Sequence, residues 1–285
     1  MNITQVITNV GVIGAGQMGA GIAQSFAMAG LNVILNDISD AAIERGLSGI
    51  QKSLTKLAEK GRLVDSVDTV LARIQGSTTL AALADTQLVV EAVSENEALK
   101  KQLFSQLDEL CPADTILASN TSSISITRLA AATQRPDRVI GMHFMNPVPV
   151  MKLVEVIRGL QTSEDSYQSI KALVEKLDKV PVTANDRPGF IVNRILLPMI
   201  NEAVFALYEG VGDAEAIDAA MKLGANQPMG PLSLADLIGL DTCLSIMEVL
   251  NEGFADPKYR PCPLLRQMVD AGYLGRKSGR GFFEY

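Results

Sequence analysis

The chain has 285 residues, of which 47% are hydrophobic and 20% are charged, and its formal net charge is −7. This length is sufficient for one large or two moderate cores, no apolar run reaches the roughly 18 residues of a membrane span, and the acidic balance excludes non-specific nucleic-acid binding as a main role. Because the three cysteines are far apart and the first residues lack the regions of a secretory signal, we expect a cytoplasmic protein with reduced thiols and no metal site.

A glycine motif stands between an apolar run and a helical pattern near the amino terminus. Residues 10–13 predict a buried strand, and Gly14, Gly16 and Gly19 follow it in the spacing G-x-G-x-x-G. Between a strand and a helix, this spacing permits a tight turn, the approach of a pyrophosphate and close packing of the helix on the strand. The motif therefore predicts a dinucleotide site.

A carboxylate at the end of the second predicted strand favours NAD over NADP. Asp37 follows the apolar run 32–36, about twenty residues past the glycines. A carboxylate there accepts hydrogen bonds from the adenosine ribose and repels a 2′-phosphate, and no Arg follows it directly. An isolated glycine motif also occurs in ordinary turns, but the strand, helix and carboxylate together indicate NAD.

The first two-thirds of the chain alternates β-branched runs with amphipathic helical patterns. The predicted strands are 10–13, 33–36, 73–76, 88–92, 116–119, 139–143, 153–157 and 180–183, and the predicted helices between them include 41–60, 97–110 and 165–177. This alternation is typical of βαβ units and predicts a mostly parallel sheet.

The pattern becomes helical after residue 186. The predicted helices are 190–209, 214–223, 232–251 and 263–271, and Pro198 is expected to kink the first of them. We therefore predict an α/β fold: a Rossmann-type, mostly parallel sheet domain, residues 1–186, followed by an all-helical C-terminal domain, residues 187–285. Because the helical part is rich in Ile, Leu, Val and Met, we expect it to form a homodimer.

His143, the only histidine, is the candidate acid–base group. Imidazole is the side chain whose ordinary pKa lies near neutral pH. His143 and Ser119 fall at predicted strand ends, and ligands of open α/β sheets bind outside the carboxyl ends of the strands. Glu155 shares an apolar strand face, where a carboxylate needs a partner such as His143. The alternatives are that His143 is a core residue and that Glu155 is solvated at a sheet edge.

Three lysines form a stripe on the predicted helix 41–60. Lys52, Lys56 and Lys60 have the spacing i, i+4, i+8, which places three ammonium groups on one face. Like charges at this spacing repel by a few tenths of a kcal/mol per pair. Either a polyanionic ligand or an ordinary solvated face accounts for this stripe.

Taken together, the motifs resemble the 3-hydroxyacyl-CoA dehydrogenase family over nearly the whole chain. The matching segments lie at 12–19, 90–96, 119–123, 143–149, 150–156, 186–194 and 275–283. The runs His-Phe-x-Asn-Pro (143–147) and Pro-Gly-Phe-x-x-Asn-Arg (188–194) are the specific ones. The compact length, without a fused hydratase, is most similar to bacterial members that act on 3-hydroxybutyryl-CoA. Met145 departs from the pattern, because many relatives carry a second aromatic residue there.

The resemblance implies an NAD-dependent enzyme that interconverts a short-chain (3S)-3-hydroxyacyl-CoA and the 3-oxoacyl-CoA. It implies that His143 is the base, that Glu155 orients it, and that Ser122 and Asn193 hydrogen-bond the substrate. The implied cofactor-binding residues are Gly14, Gly16, Gln17, Met18, Gly19, Asp37, Ala92, Glu95, Lys100, Ser122, Asn146 and Lys277. The residues implied to receive the CoA phosphates are Ser53, Lys56 and Lys60, which favours a ligand role for the lysine stripe.

Two other function classes remain open from the sequence. A 3-hydroxyacid dehydrogenase of the 6-phosphogluconate type shares the fold but typically uses a Lys base, whereas a relative that acts on a CoA-free acid would keep the His–Glu pair. A non-catalytic dinucleotide-binding protein would keep the glycine motif without turnover.

Overall fold

The computed structural model describes residues 6–285, and within that range eight strands form one sheet. The strands are β1 Asn9–Ile13, β2 Asn32–Asn36, β3 Ile74–Ser77, β4 Leu88–Glu91, β5 Ile116–Ser119, β6 Val139–Phe144, β7 Leu153–Arg158 and β8 Val180–Asn185. Residues of β4, β5 and β6 are buried throughout, as expected for parallel strands with both faces covered.

The strand order in the sheet is β3-β2-β1-β4-β5-β6-β7-β8. Sequence order reverses between β1 and β4, so a crevice opens beyond their carboxyl ends, where ligands of such sheets bind. Neighbouring strands run parallel, except that β7 is antiparallel to β6. The predicted strands and the mostly parallel sheet are confirmed, whereas the reversal at β7 was not predicted.

Six helices accompany this sheet in the described residues, and glycine permits the closest of the contacts they make. They are α1 Gln17–Met28, α2 Asp40–Glu59, α3 Val67–Leu71, α4 Glu97–Leu110, α5 Ile126–Ala130 and α6 Glu164–Lys176. A Cβ at Gly19 would collide with the carbonyl oxygen of Gly14, so α1 packs against the turn that precedes it only because this residue is glycine. Ser39 begins α2 by accepting a hydrogen bond from the Ala42 N–H.

The chain divides into two compact units between Asp186 and Arg187. The second unit contains α7 Val192–Tyr208, α8 Ala214–Gly224, α9 Pro231–Ile238, α10 Leu240–Phe254 and α11 Pro263–Asp270. Its core is apolar, and two buried carboxylates in it are satisfied by hydrogen bonds. Asp218 accepts the Leu232 and Ser233 N–H groups at the start of α9, and Asp236 accepts those of Phe282 and Phe283.

The single helix predicted at 232–251 is wrong, because Gly239 separates α9 from α10. Gly239 has φ +102°, a left-handed conformation that a side chain would strain. The apolar periodicity continues across this residue, so the sequence pattern gave no sign of the break.

In the described part of the chain, no helix has both the length and the apolar character needed to cross a membrane.

Candidate active site

The glycine turn after β1 is shaped by contacts with neighbouring backbone. Gly14 has φ +100°, and a Cβ there would lie 2.6 Å from the Ala92 carbonyl oxygen, just past β4. A Cβ at Gly16 would meet no atom within 4 Å. Asp37 stabilises the turn, because its Oδ2 accepts the Ala15 N–H at 2.7 Å. The turn thus leaves open space at Gly16, where a pyrophosphate is expected to approach.

A cavity of about 520 Å³ lies on one side of this turn. Its lining combines residues at or just past the ends of β1, β2 and β4 with one face of α4, and the residues are Ile13, Gly14, Gly16, Asn36, Asp37, Ile38, Thr78, Leu80, Ala92, Val93, Ser94, Leu99, Gln102, Leu103 and Gln106. Apolar walls with one carboxylate at the rim fit an adenosine whose ribose hydroxyls bond to Asp37. The residues present therefore fit NAD.

A second cavity, of about 610 Å³, lies on the other side of the turn, and we name it the α1–α2 cavity. It is lined by α1, α2 and the segment after His143, and the residues are Ala15, Gly16, Gln17, Ala20, Gly21, Gln24, Asp37, Ala42, Arg45, Gly46, Gly49, Ile50, Ser53, Asn146, Pro147, Val148 and Pro149. Gly16 and Asp37 belong to both cavities, so the two spaces adjoin along the turn.

His143 and Glu155 are held together by the register of two antiparallel strands. The two residues lie directly opposite each other on β6 and β7, so their side chains share one face of the sheet. His143 Nδ1 lies 2.8 Å from Glu155 Oε2, with the imidazole 9% exposed and the carboxylate fully buried. A buried carboxylate at this distance fixes which ring nitrogen carries the proton and stabilises the imidazolium.

Two side chains that the sequence analysis did not single out fix the chain around His143. Asn120 Oδ1 accepts the Phe144 N–H at 2.9 Å, which ties the end of β6 to the turn after β5. Lys179 is 8% exposed, and its Nζ donates to the carbonyl oxygens of Val148 and Met151, within the connection from β6 to β7. Burial lowers the pKa of the Lys179 ammonium, and the nearby Lys152 acts in the same direction.

A buried charge cluster lies at the carboxyl end of β4. Glu91 is fully buried, and its Oε1 accepts both the Lys100 Nζ at 2.6 Å and the Val93 N–H at 2.7 Å. Its Oε2 accepts the Ser119 hydroxyl at 2.7 Å. Lys100 is 1% exposed. Glu91 therefore joins β4, β5 and α4 at the edge of the sheet that carries the glycine turn.

Glu95 gathers the turn after β5 around its carboxylate. Its Oε1 accepts the hydroxyls of Thr121 and Ser123 and the N–H groups of Ser122 and Ser123, and Lys100 Nζ lies 3.3 Å from its Oε2. Although burial raises the pKa of the Glu95 carboxyl, Lys100 and these hydrogen bonds outweigh it and hold the pKa below its ordinary value. The side chain keeps 37% exposure, so this anion remains accessible to a ligand.

The remaining predicted site residues are distributed over both units. Ser53 lines the α1–α2 cavity, whereas Lys56 and Lys60 are exposed further along the same face of α2. Asn193 lies in the first turn of α7, and Lys277 pairs with Asp241 at 2.5 Å, both in the second unit. Asp186, which follows β8, accepts the Ile126 and Thr127 N–H groups at the start of α5.

Both parts of the chain match models of one protein family. The model of the 3-hydroxyacyl-CoA dehydrogenase NAD binding domain matches residues 9–187, and that of the family's C-terminal domain matches residues 189–285. A probable 3-hydroxybutyryl-CoA dehydrogenase from Bacillus subtilis is 59% identical over 286 residues, covering 100% of this chain and 98% of that protein. A 3-hydroxybutyryl-CoA dehydrogenase from Bradyrhizobium diazoefficiens is 57% identical, covering 98% of this chain and 96% of that protein.

Similarity to solved structures is equally extensive. The crystal structure of an (S)-3-hydroxybutyryl-CoA dehydrogenase from Ralstonia eutropha superposes with a TM-score of 0.95 at 56% identity, covering 98% of this chain and 99% of that chain. This chain therefore belongs to the 3-hydroxyacyl-CoA dehydrogenase family, and residues 9–187 match the NAD-binding domain of that family. The predicted resemblance and the NAD cofactor are confirmed.

We predict that Lys100→Met destabilises the protein by about 3–5 kcal/mol, because it leaves the Glu91 carboxylate buried without its cation. The free energy of unfolding is measured by denaturant titration. Lys101→Met is the matched control, since Lys101 is 41% exposed and its pairing with Glu97 contributes only a few tenths of a kcal/mol. The double variant Glu91→Gln/Lys100→Met should recover part of the loss. Equal stabilities of Lys100→Met and Lys101→Met would contradict the buried ion pair.

Proposed function

We propose that this protein is an NAD-dependent dehydrogenase of short-chain (3S)-3-hydroxyacyl-CoA, interconverting 3-hydroxybutanoyl-CoA and acetoacetyl-CoA. Family membership and the names of relatives at 57–59% identity over nearly the whole chain support the substrate class. The observation that carries the chemistry is the His143–Glu155 pair, buried at the end of β6.

In the proposed reaction His143 exchanges the proton of the C3 hydroxyl group. Because Glu155 engages Nδ1, the exchange with substrate falls to Nε2. During oxidation Nε2 takes the hydroxyl proton as the hydride leaves C3, and the Glu155 carboxylate stabilises the imidazolium that forms. During reduction the imidazolium returns the proton to the developing alkoxide. NAD supplies the hydride acceptor, and NADH the donor.

We assign the remaining substrate contacts from the match to the family. Ser122 and Asn193 would hydrogen-bond the reacting oxygen and the thioester. Ser53, Lys56 and Lys60 would receive the phosphates of CoA, and their position along one face of α2 supports this assignment. The cofactor contacts proposed from the sequence, including Glu95, Lys100, Asn146 and Lys277, stay predictions.

We also propose that the second unit mediates a homodimer. Large apolar side chains remain exposed in this unit, and the most exposed are Ile195, Tyr208, Val211, Leu223 and Tyr285, at 53–87%. Large contiguous apolar patches mark protein–protein contacts, and we propose that these side chains contribute to one. The cytoplasmic location expected from the cysteines stays a prediction.

His143→Gln is expected to lower kcat for acetoacetyl-CoA reduction by about 10²–10⁴-fold, since general acid–base catalysis is typically worth that much. Binding of NADH, measured by fluorescence titration, should remain nearly unchanged. This combination separates loss of the proton donor from loss of the fold. If the variant retained more than about a third of the wild-type kcat, His143 would not be the acid–base group.

The dinucleotide preference is tested at Asp37. We expect kcat/KM for NADH to exceed that for NADPH at least about tenfold, which corresponds to about 1.4 kcal/mol. Asp37→Ala should narrow this ratio, because it removes the carboxylate that repels a 2′-phosphate. The variant also loses the hydrogen bond to the Ala15 N–H, so the ratio of the two cofactors is the informative quantity, rather than either value alone. Equal efficiencies in the wild-type protein would contradict the assignment.

A CoA substrate is distinguished from a CoA-free acid by Lys56→Ala/Lys60→Ala. Charge-assisted hydrogen bonds contribute about 1.5–3 kcal/mol each, and less where solvent screens them, so we expect KM for acetoacetyl-CoA to rise at least about tenfold. A truncated pantetheine thioester, which has no phosphates, should be affected little. Lys101→Ala/Lys222→Ala is the control, because it removes the same net charge from positions that line neither cavity. An unchanged KM for acetoacetyl-CoA would favour the CoA-free alternative.

A further inference from the structure

Gly49 occupies an exposed position in the middle of α2, which spans Asp40–Glu59. Apart from proline, glycine is the residue that disfavours a helix interior most. The backbone of Gly49 is not in the left-handed region that would require glycine. The reason for a glycine here therefore lies in the space around it.

That space is empty of protein atoms. A Cβ at Gly49 would meet nothing within 4 Å, whereas one at Gly46, a turn earlier in the same helix, would lie 2.9 Å from the Ala15 carbonyl oxygen. Among the glycines of residues 6–285, only Gly16, Gly49 and Gly224 have neither a left-handed φ nor an atom within 4 Å of an added Cβ. Gly224 is the last residue of α8, where helix propensity matters least.

Gly16 shows why a glycine without protein neighbours can be required. It lies in the turn where the backbone must leave room for the pyrophosphate of a dinucleotide, so its open space is accounted for by a ligand. Gly49 lines the same α1–α2 cavity as Gly16. By the same reasoning, the open space at Gly49 belongs to a ligand in that cavity.

Most of the residues that line the α1–α2 cavity are uncharged, which suits a thin, uncharged chain. Around Gly49 they are built largely from small or apolar residues, among them Ala20, Gly21, Ala42 and Val148, with the amide groups of Gln17 and Gln24 at the α1 side. Arg45 and Asp37 are the charged residues of the lining that the structure describes, and no lysine belongs to it. The phosphates of CoA would find one cation here, whereas a chain of methylene and amide groups matches the apolar walls and the amide groups.

The distance from Gly49 to Lys56 and Lys60 also fits a CoA substrate. Lys56, in α2, and Lys60, its C-cap, lie seven and eleven residues beyond Gly49, which at 1.5 Å per residue is about 10.5 Å and 16.5 Å along the helix axis. The pantetheine arm of CoA separates its thioester from its phosphates by a comparable length. Gly49 is thus on the thioester side of the proposed phosphate contacts.

We propose that Gly49 is a specificity-determining residue that keeps the α1–α2 cavity open for the pantetheine arm of the acyl-CoA. The inference rests on the proposed CoA substrate, and it adds a position where side-chain volume rather than charge controls binding. A larger residue would be compatible with the helix and incompatible with the substrate.

The test compares Gly49→Leu with Ser48→Leu, its neighbour on α2, which is exposed and does not line the cavity. We expect Gly49→Leu to raise KM at least about tenfold for both acetoacetyl-CoA and the truncated pantetheine thioester, because a tenfold change requires only a modest loss of binding. KM for NADH should not change. Ser48→Leu should change none of these values. Both variants should melt no lower than wild type, since leucine favours a helix more than glycine or serine does.

Two further measurements test the effect of Gly49 on binding. One does not depend on turnover, and the other uses a side chain smaller than leucine. Calorimetric titration with free CoA should show the same loss of affinity in Gly49→Leu and none in Ser48→Leu. Gly49→Ala adds a single methyl group, so it should raise the melting temperature and raise KM for acetoacetyl-CoA by a smaller factor.

Three results would overturn the inference. They are an unchanged KM for both thioesters in folded Gly49→Leu, a rise in KM for NADH alone, and a rise for acetoacetyl-CoA that spares the truncated thioester. The second result would indicate that the dinucleotide binds in the α1–α2 cavity, and the third that the CoA phosphates bind there. A wild-type protein that fails to reduce acetoacetyl-CoA contradicts the proposed function instead, so the two failures are distinguishable.

Discussion

The reversal of strand direction between β6 and β7 is the constraint on which the proposed chemistry depends. In an antiparallel pair, residues directly opposite each other present their side chains on the same face, so His143 and Glu155 meet because of backbone register. The short connection between the strands is then fixed by Lys179 through two carbonyl oxygens. An acid–base pair built on paired strands is held more rigidly than one built on loops, because the ladder hydrogen bonds oppose its displacement.

The edge of the sheet that carries the glycine turn depends on a second constraint. A buried charge there must be paired and hydrogen-bonded. Glu91 has no solvent exposure, and it is compatible with the fold because an ammonium, a hydroxyl and an N–H group bond to it. These partners come from α4, β5 and the turn after β4, so one carboxylate sets the spacing of three elements. Lys100 extends the cluster to Glu95, which in turn organises residues 121–123. Contacts within the protein therefore set the geometry of this edge.

The sequence was sufficient for the elements of the sheet, because buried parallel strands are continuous β-branched runs bounded by helical patterns. Strand direction was not predictable, since side-chain alternation is the same in parallel and antiparallel strands. The break at Gly239 was missed because the apolar period continues across it. The partner of Glu155 was predictable because the chain has one histidine. The partners of Glu91, by contrast, lie 9 and 28 residues away, and an acid within a predicted strand gave no signal of them.

Two features of the sequence of α2 lower the stability of this helix. Neighbouring lysines of the stripe Lys52, Lys56 and Lys60 repel each other, and Gly49 weakens the helix at an exposed position where a Cβ would meet no atom within 4 Å. Gly49 lines the α1–α2 cavity, and the lysines lie further along the same helix. Gly46 also lines this cavity, but its lack of a side chain is explained within the protein, because a Cβ there would lie 2.9 Å from the Ala15 carbonyl oxygen. A ligand that binds only the folded protein offsets such costs by mass action. The acyl-CoA substrate proposed above, lying along α2, would account for both of these costs.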